Sequence, residues 1–227
     1  MKEEEIKGII FDLDGTLIDS YQAIYLGFHH VYTELKLTPL PFAEVKKVVG
    51  RGLSHTFRDL LGEELVSRAL LLFREKYEEV FREHTKLLPD VPEVLAELSR
   101  RKISMAVASN KLGKFSRAIF EHFQLQKYFT VIVGDGDVAQ NKPDPEMIYF
   151  ALDKMGLRKE EVIFVGDSVI DIQTAKNAGM KIFAIPSGNT SKEDLEKAQP
   201  TVLLDRLLDL LLYVGKGGET PLNGKYS

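Results

Sequence analysis

Five short apolar runs, at residues 7–11, 103–108, 130–133, 162–165 and 181–185, punctuate the chain. Each is rich in Ile, Val or Ala and shows no polar alternation, which is the pattern of strands buried on both faces. Between them, residues 91–101, 112–123, 145–155 and 169–178 carry apolar side chains at helical spacing. Alternation of this kind predicts right-handed crossover units and a parallel sheet with helices on both sides. The Asn177-Ala178-Gly179 sequence reads as a helix end, with Gly179 suited to a left-handed cap.

Residues 17–88 break the alternation. Helical patterns at 20–37, 42–48, 53–61 and 63–84 follow one another there with no strand among them. Pro39, Pro41 and Gly50-Arg51-Gly52 supply turns, and Pro89-Asp90-Val91-Pro92 marks the return to the alternating pattern. The expected fold is therefore α/β: a doubly wound, Rossmann-like parallel sheet core at residues 1–16 and 89–214, with a four-helix cap domain inserted at 17–88. Residues 215–227, rich in glycine and polar side chains, are expected to form a loose tail.

Composition narrows the function. With 227 residues and 44% hydrophobic content, the chain is able to bury a full core. A net charge of -4 argues against nucleic acid as the main partner, since a binder of the phosphate backbone usually carries a basic face. The absence of cysteine excludes disulfides, thiolate catalysis and cysteine-ligated zinc. An acidic start without a long apolar stretch is unlike a secretory signal, so the expectation is a cytoplasmic protein. The apolar stretch at 202–214 is interrupted by Asp205, Arg206 and Asp209 and falls short of the roughly 20 residues that span a bilayer, so no membrane partner is expected.

The chemistry is concentrated at strand ends. The first strand ends in Asp12-Leu13-Asp14-Gly15-Thr16, and the fourth ends in Gly166-Asp167-Ser168-Val169-Ile170-Asp171. Alternation aims Asp12 and Asp14 to one side, and like charges so placed call for a cation or a proton between them. If the two strands are neighbours, Asp167 and Asp171 fit the same cation. Ser109-Asn110-Lys111 and the loop Asn141-Lys142-Pro143-Asp144-Pro145 also follow strands. Open parallel sheets bind ligands at their carboxyl edge, so the four clusters should converge on one pocket. Such a pocket suits phosphoryl transfer: a carboxylate to attack phosphorus, a second to move protons, and magnesium and a lysine to neutralise charge. The five histidines show no metal-ligand spacing.

The blocks DLDGT, SN, KPDP and GDSVID, in this order, resemble the four motifs of the haloacid dehalogenase-like (HAD) hydrolase superfamily. The position of the helical insert is similar to that in its phosphoglycolate phosphatase branch. The resemblance implies that Asp12 is the nucleophile and a metal ligand. It makes Asp14 the general acid/base and a metal ligand through its backbone carbonyl. Ser109 would bind the phosphoryl group with Asn110 beside it, and Lys142 would steady nucleophile and phosphate. Asp167 would ligate magnesium and Asp171 would support the metal site. Dehalogenases lack the second acid that Asp14 provides, and transport ATPases carry threonine there.

The resulting expectation is a magnesium-dependent phosphomonoesterase acting on a small phosphorylated metabolite, first of all 2-phosphoglycolate, as a monomer or homodimer. A sugar-phosphate or nucleotide phosphatase, a phosphoglucomutase-like transferase and a phosphoaspartate switch protein are the alternatives. Arg51, flanked by glycines in the cap, is expected to read the substrate carboxylate through its forked donors.

Overall fold

The first apolar run folds as β1 (Gly8–Phe11), buried throughout, at the centre of a six-stranded sheet in a computed structural model that describes residues 5–215. The expectation for the tail lies, beyond Gly215, outside the described residues. After β1 come β2 (Ile18–Asp19), α1 (Tyr21–Glu34), α2 (Phe42–Val48), α3 (Leu53–Leu61), α4 (Glu63–Val80) and β3 (Lys86–Leu87). The chain continues through α5 (Val91–Arg100), β4 (Ser104–Leu112), α6 (Gly113–His122), β5 (Val131–Asp135) and α7 (Glu146–Met155). It then forms β6 (Val162–Gly166), α8 (Val169–Ala178), β7 (Lys181–Ala184), α9 (Lys192–Lys197) and β8 (Val202–Leu203), with a short 3-10 helix at Leu207–Leu212.

The strand order is β5-β4-β1-β6-β7-β8, and every neighbouring pair is parallel. The chain steps outward from β1 to β4 and β5, then returns to the other side of β1 at β6. That reversal opens a crevice at the carboxyl end of β1, where open α/β sheets place their ligands. Strand alternation distributes the core over both faces. Ile9 and Phe11 pack with Met105, Val107, Ile163 and Val165 under α5 and α6, whereas Ile10 packs with Ala106, Phe164 and Ile182 under α7 and α8. Gly179 takes the expected left-handed conformation, φ 65°, at the end of α8.

The structure differs from the sequence reading in three places. The stretch read as strandless, 17–88, carries a short strand at each end: Ile18 pairs with Leu87 and Asp19 with Lys86 in an antiparallel ribbon that sets the two connections to the helices side by side. Strand β4 does not stop at Ala108 but runs on to Leu112 through a register shift, so Ser109, Asn110 and Lys111 belong to the strand end. β8 adds a sixth strand beside β7. Two-residue strands have no period to read, and β4 is prolonged by polar residues whose partners are far away in sequence.

In the helical segment α1 packs on α2 and α4, and α3 packs on α4. Its interior is a run of aromatic rings. Phe28 meets Phe57 at 4.8 Å and Phe73 at 5.7 Å, Phe73 stacks on Tyr77 at 5.4 Å, and Tyr77 meets Phe115 of α6 at 4.8 Å. Ring contacts at these separations add to simple area burial, and here they carry the helices continuously down to the sheet. Among the described residues, no helix is long and apolar enough to cross a membrane.

Gly27 allows this packing, because a Cβ there would lie 2.5 Å from the Phe73 ring. In an open helix Gly→Ala gains about 0.5–1 kcal/mol. At Gly27 the gain should be reversed: overpacking against a ring only 2% exposed costs about 1–3 kcal/mol. Urea denaturation of Gly27→Ala should therefore show a lower midpoint than wild type, and a higher midpoint would contradict the packing.

Candidate active site

Adjacent parallel strands β1 and β6 carry Asp12 and Asp167 just beyond their carboxyl ends, and the first turn of α8 brings in Asp171. Carboxylate oxygens of all three lie within 4.8 Å of one another, and all three residues are buried. Two full charges at that separation repel by about 3–4 kcal/mol even at an effective dielectric of ~20. Each carboxylate is held in place. Asp167 accepts from Thr16 Oγ1 at 2.9 Å, and Gly15 and Gly188 let backbone close around it, since a Cβ on either would collide with its side chain. Asp171 closes a capping box with Ser168 at the start of α8, accepting from the Ser168 amide at 3.1 Å and its hydroxyl at 2.6 Å. Capping and site geometry thus coincide in one side chain.

One ammonium faces this group. Lys142 Nζ donates to Asp12 Oδ1 and to Asp171 Oδ1, both at 2.7 Å. Burial alone would push the Lys142 pKa down, but Asp12 and Asp171 more than reverse it and the group is held raised. Burial pushes the Asp12 carboxyl up to about 6, with Lys142 opposing and Asp171 adding to the rise. Burial, then the charges of Asp12 and Asp171, raise Asp167 well above the ordinary carboxylate value. Three carboxylates against one ammonium leave an excess of negative charge in a dry site. An all-oxygen donor set of this kind fits a hard divalent cation.

Asn110 positions the lysine. Its Oδ1 accepts from the Lys142 amide at 2.8 Å, and its Nδ2 donates to the Lys142 carbonyl at 3.0 Å and the Gly50 carbonyl at 2.9 Å. The Asn110 side chain is therefore committed to backbone, where the sequence placed it beside the phosphate. Nor does it cap α6, whose N-cap is Leu112. Ser109 is buried, lines the cavity and accepts from the Lys111 amide at 3.3 Å.

The paired acids of the first motif part company. Asp14 is outside the carboxylate triangle; Lys111 Nζ donates to its two oxygens at 2.9 and 2.8 Å, and Ser20 Oγ donates to Oδ1. The positive charge beside the Asp14 carboxylate is a lysine side chain, Lys111, to which the sequence assigned no role. Burial opposes the charge on Lys111, but Asp14 outweighs it and the ammonium is held raised. The ring of Tyr77, from α4, lies 4.9 Å from Lys111 Nζ. Its hydroxyl is buried with no hydrogen-bond partner, and burial raises its pKa, so it stays a protonated donor.

Asp12, Asp14, Ser109, Asn110, Lys111, Lys142 and Asp167 line one cavity of about 70 Å³. The convergence expected of the four clusters holds. Gly50 and Gly52 of the α2–α3 turn reach the same cavity, but Arg51 between them does not line it. Its side chain is 66% exposed and pairs with Asp59 at 3.4 Å, so the structure does not bring Arg51 to the site. A turn that presents glycine backbone inward on both sides points the intervening side chain outward.

Comparison with known proteins agrees with this geometry. Residues 9–185 match the family described as haloacid dehalogenase-like hydrolase, a span that takes in all four clusters. The chain belongs to the haloacid dehalogenase-like hydrolase family. It is 33% identical to the phosphoglycolate phosphatase of Pectobacterium atrosepticum over 217 residues, 92% of this chain and 93% of that one. It is 31% identical to phosphoglycolate phosphatase 1 of Pseudomonas aeruginosa, covering 94% of this chain and 82% of that one. The solved structure of a haloacid dehalogenase-like hydrolase from Bacteroides fragilis superposes with a TM-score of 0.86 at 26% identity, over 91% of this chain and 100% of that one.

In this haloacid dehalogenase-like hydrolase the crowded acids make stability depend on pH and on cation. Asp12 and Asp167 are raised above their unfolded values, so the metal-free folded chain binds more protons than the unfolded chain. For Asp12 that excess spans pH about 4 to 6, and stability falls as pH rises through it. Asp167→Asn removes one crowded charge. At pH 7 in chelator it should melt above wild type, by about 2–4 °C for each kcal/mol relieved, and it should gain much less than wild type from an added divalent cation. Equal melting in chelator and an equal gain from the cation would contradict the charge-crowding account.

Proposed function

We propose that this hydrolase is a magnesium-dependent phosphatase that removes phosphate from a small ester, with 2-phosphoglycolate the first candidate, through a phosphoaspartate on Asp12. Its class, a phosphoric monoester hydrolase, follows from the family and from the phosphoglycolate phosphatases with which it aligns over most of both chains. The observation that carries the finer reading is the triangle of Asp12, Asp167 and Asp171 around Lys142, with Ser109 and Asp14 on the same cavity.

Each residue has a separate task. Asp12, oriented by Lys142, attacks phosphorus; a new bond joins its oxygen to phosphorus as the bond to the leaving oxygen breaks. Asp14 gives a proton to that leaving oxygen, then takes one from the water that splits the acyl phosphate. The Ser109 hydroxyl and the Lys142 ammonium hold the phosphoryl oxygens in line. Magnesium would be held by Asp12, Asp167 and the Asp14 carbonyl with Asp171 in support, and would neutralise charge on the transferring group. The helices of residues 17–88 serve as a cap, excluding water and touching the leaving group.

A phosphoaspartate switch needs a long-lived phosphoryl group, and an acid/base next to it works against that.

Substitutions at the two acids should separate their roles. Asp12→Asn should remove nearly all turnover with the fold retained. Asp14→Asn should lose a factor of about 100 to 10,000 on 2-phosphoglycolate, and an activated aryl phosphate should then leave a phosphoenzyme on Asp12 that quenched-flow mass spectrometry detects. Substantial turnover by Asp12→Asn would sink the nucleophile assignment. Exhaustive chelation should abolish activity and magnesium should restore it, with calcium a poor substitute because of its longer, looser coordination.

A further inference from the structure

We propose that Lys111 and Tyr77 form the subsite for a carboxylate on the leaving group. The proposal deepens the phosphatase reading and rests on it. Three observations carry it.

The first is the supply of positive charge. With Arg51 facing away, the cavity is lined by two cations, and Lys142 sits between Asp12 and Asp171, where the phosphoryl group is proposed to bind. Lys111 is the cation left for the leaving group. The second is an unmet donor. The Tyr77 hydroxyl is buried without a hydrogen-bond partner, its ring lines the cavity, and it stands against Lys111. A buried hydroxyl in that condition is costly until something accepts from it. Ammonium and phenol together offer two donors to one carboxylate.

The third is spacing. Lys111 Nζ lies 2.8 and 2.9 Å from the oxygens of Asp14, so whatever these two residues touch on a substrate must be close neighbours there. Asp14 must face the leaving oxygen. In the ester of a 2-hydroxy acid, one carbon separates that oxygen from the carboxylate. A carboxylate drawn onto Lys111 also replaces a bond now made to Asp14, which frees an Asp14 oxygen to turn to the leaving group. On the side of the helices the wall beside Lys111 and Tyr77 includes the apolar Ile24, Phe28, Val48, Leu53 and Phe73, which strengthens the pull of the two donors on a carboxylate.

Binding to the magnesium-loaded Asp12→Asn enzyme, measured by calorimetry, tests the subsite without turnover. The probes are 2-phosphoglycolate, 2-phospholactate and ethyl phosphate, which lacks the carboxylate. A carboxylate-bearing ester should bind at least about tenfold more tightly than ethyl phosphate, and adding Lys111→Gln or Tyr77→Phe should cut that ratio by about tenfold. Tyr77→Phe keeps the ring and its stacking, so it reads the hydroxyl alone. Preference for 2-phospholactate but not 2-phosphoglycolate, with the same loss in the variants, would support the subsite and refute the substrate proposed above. No preference for either acid, or a preference that Tyr77→Phe and Lys111→Gln leave intact, would overturn the subsite even if the native enzyme releases phosphate from all three esters.

Discussion

One lysine among three buried carboxylates is the constraint on which the rest of the site depends. Lys142 touches Asp12 and Asp171 and leaves Asp167 to face their charges. Much of the surrounding structure keeps these groups from relaxing apart. The β1–β6 ladder fixes the spacing of Asp12 and Asp167, the α8 capping box fixes Asp171, and Asn110 clamps the Lys142 backbone from the end of β4. The clamps on Asp171 and Lys142 are hydrogen bonds of 2.6 to 3.2 Å made within the protein, so the cluster is held together before any ligand binds.

A second polar centre, Asp14 with Lys111, stands beside the first and answers to the helices. The aromatic run from Phe57 through Phe28, Phe73 and Tyr77 to Phe115 joins the α1–α4 bundle to α6, and Tyr77 sets its ring against Lys111. Movement of α4 therefore bears directly on the residues around the proposed proton donor. The two centres are thus distinct: the strand-end acids meet Lys142, and Asp14 meets Lys111 beside the helices.

Much of this was legible in the sequence because the polar groups that line the cavity are local. Asp12, Ser109, Lys142 and Asp167 each follow an apolar run, and topology alone brings strand ends to one edge. The helices of residues 17–88 were equally legible, since α2 and α3 begin and end where their apolar spacing does. What escaped was non-local. The pairing of Asp14 with Lys111 joins residues 97 apart, and nothing in either neighbourhood signals it. Arg51 looked suited to a carboxylate because its flanking glycines implied a close approach. The glycines do approach, and that same turn sends the guanidinium outward to Asp59. Asn110 was legible only in part for a similar cause: it lines the cavity beside Ser109, while its side-chain partners, Gly50 and Lys142, come from two distant loops.

The central claim is that the carboxylates are crowded beyond what Lys142 offsets and that a divalent cation relieves them. Magnesium binding measured calorimetrically near pH 6, in two buffers of different ionisation enthalpy, reads this directly as protons exchanged. Because Asp12 titrates at about 6 without the cation and Asp167 is raised as well, binding should release about one proton, and affinity should weaken as pH falls from 7 to 5. Binding without proton release, at an affinity that does not change over that range, would contradict the account.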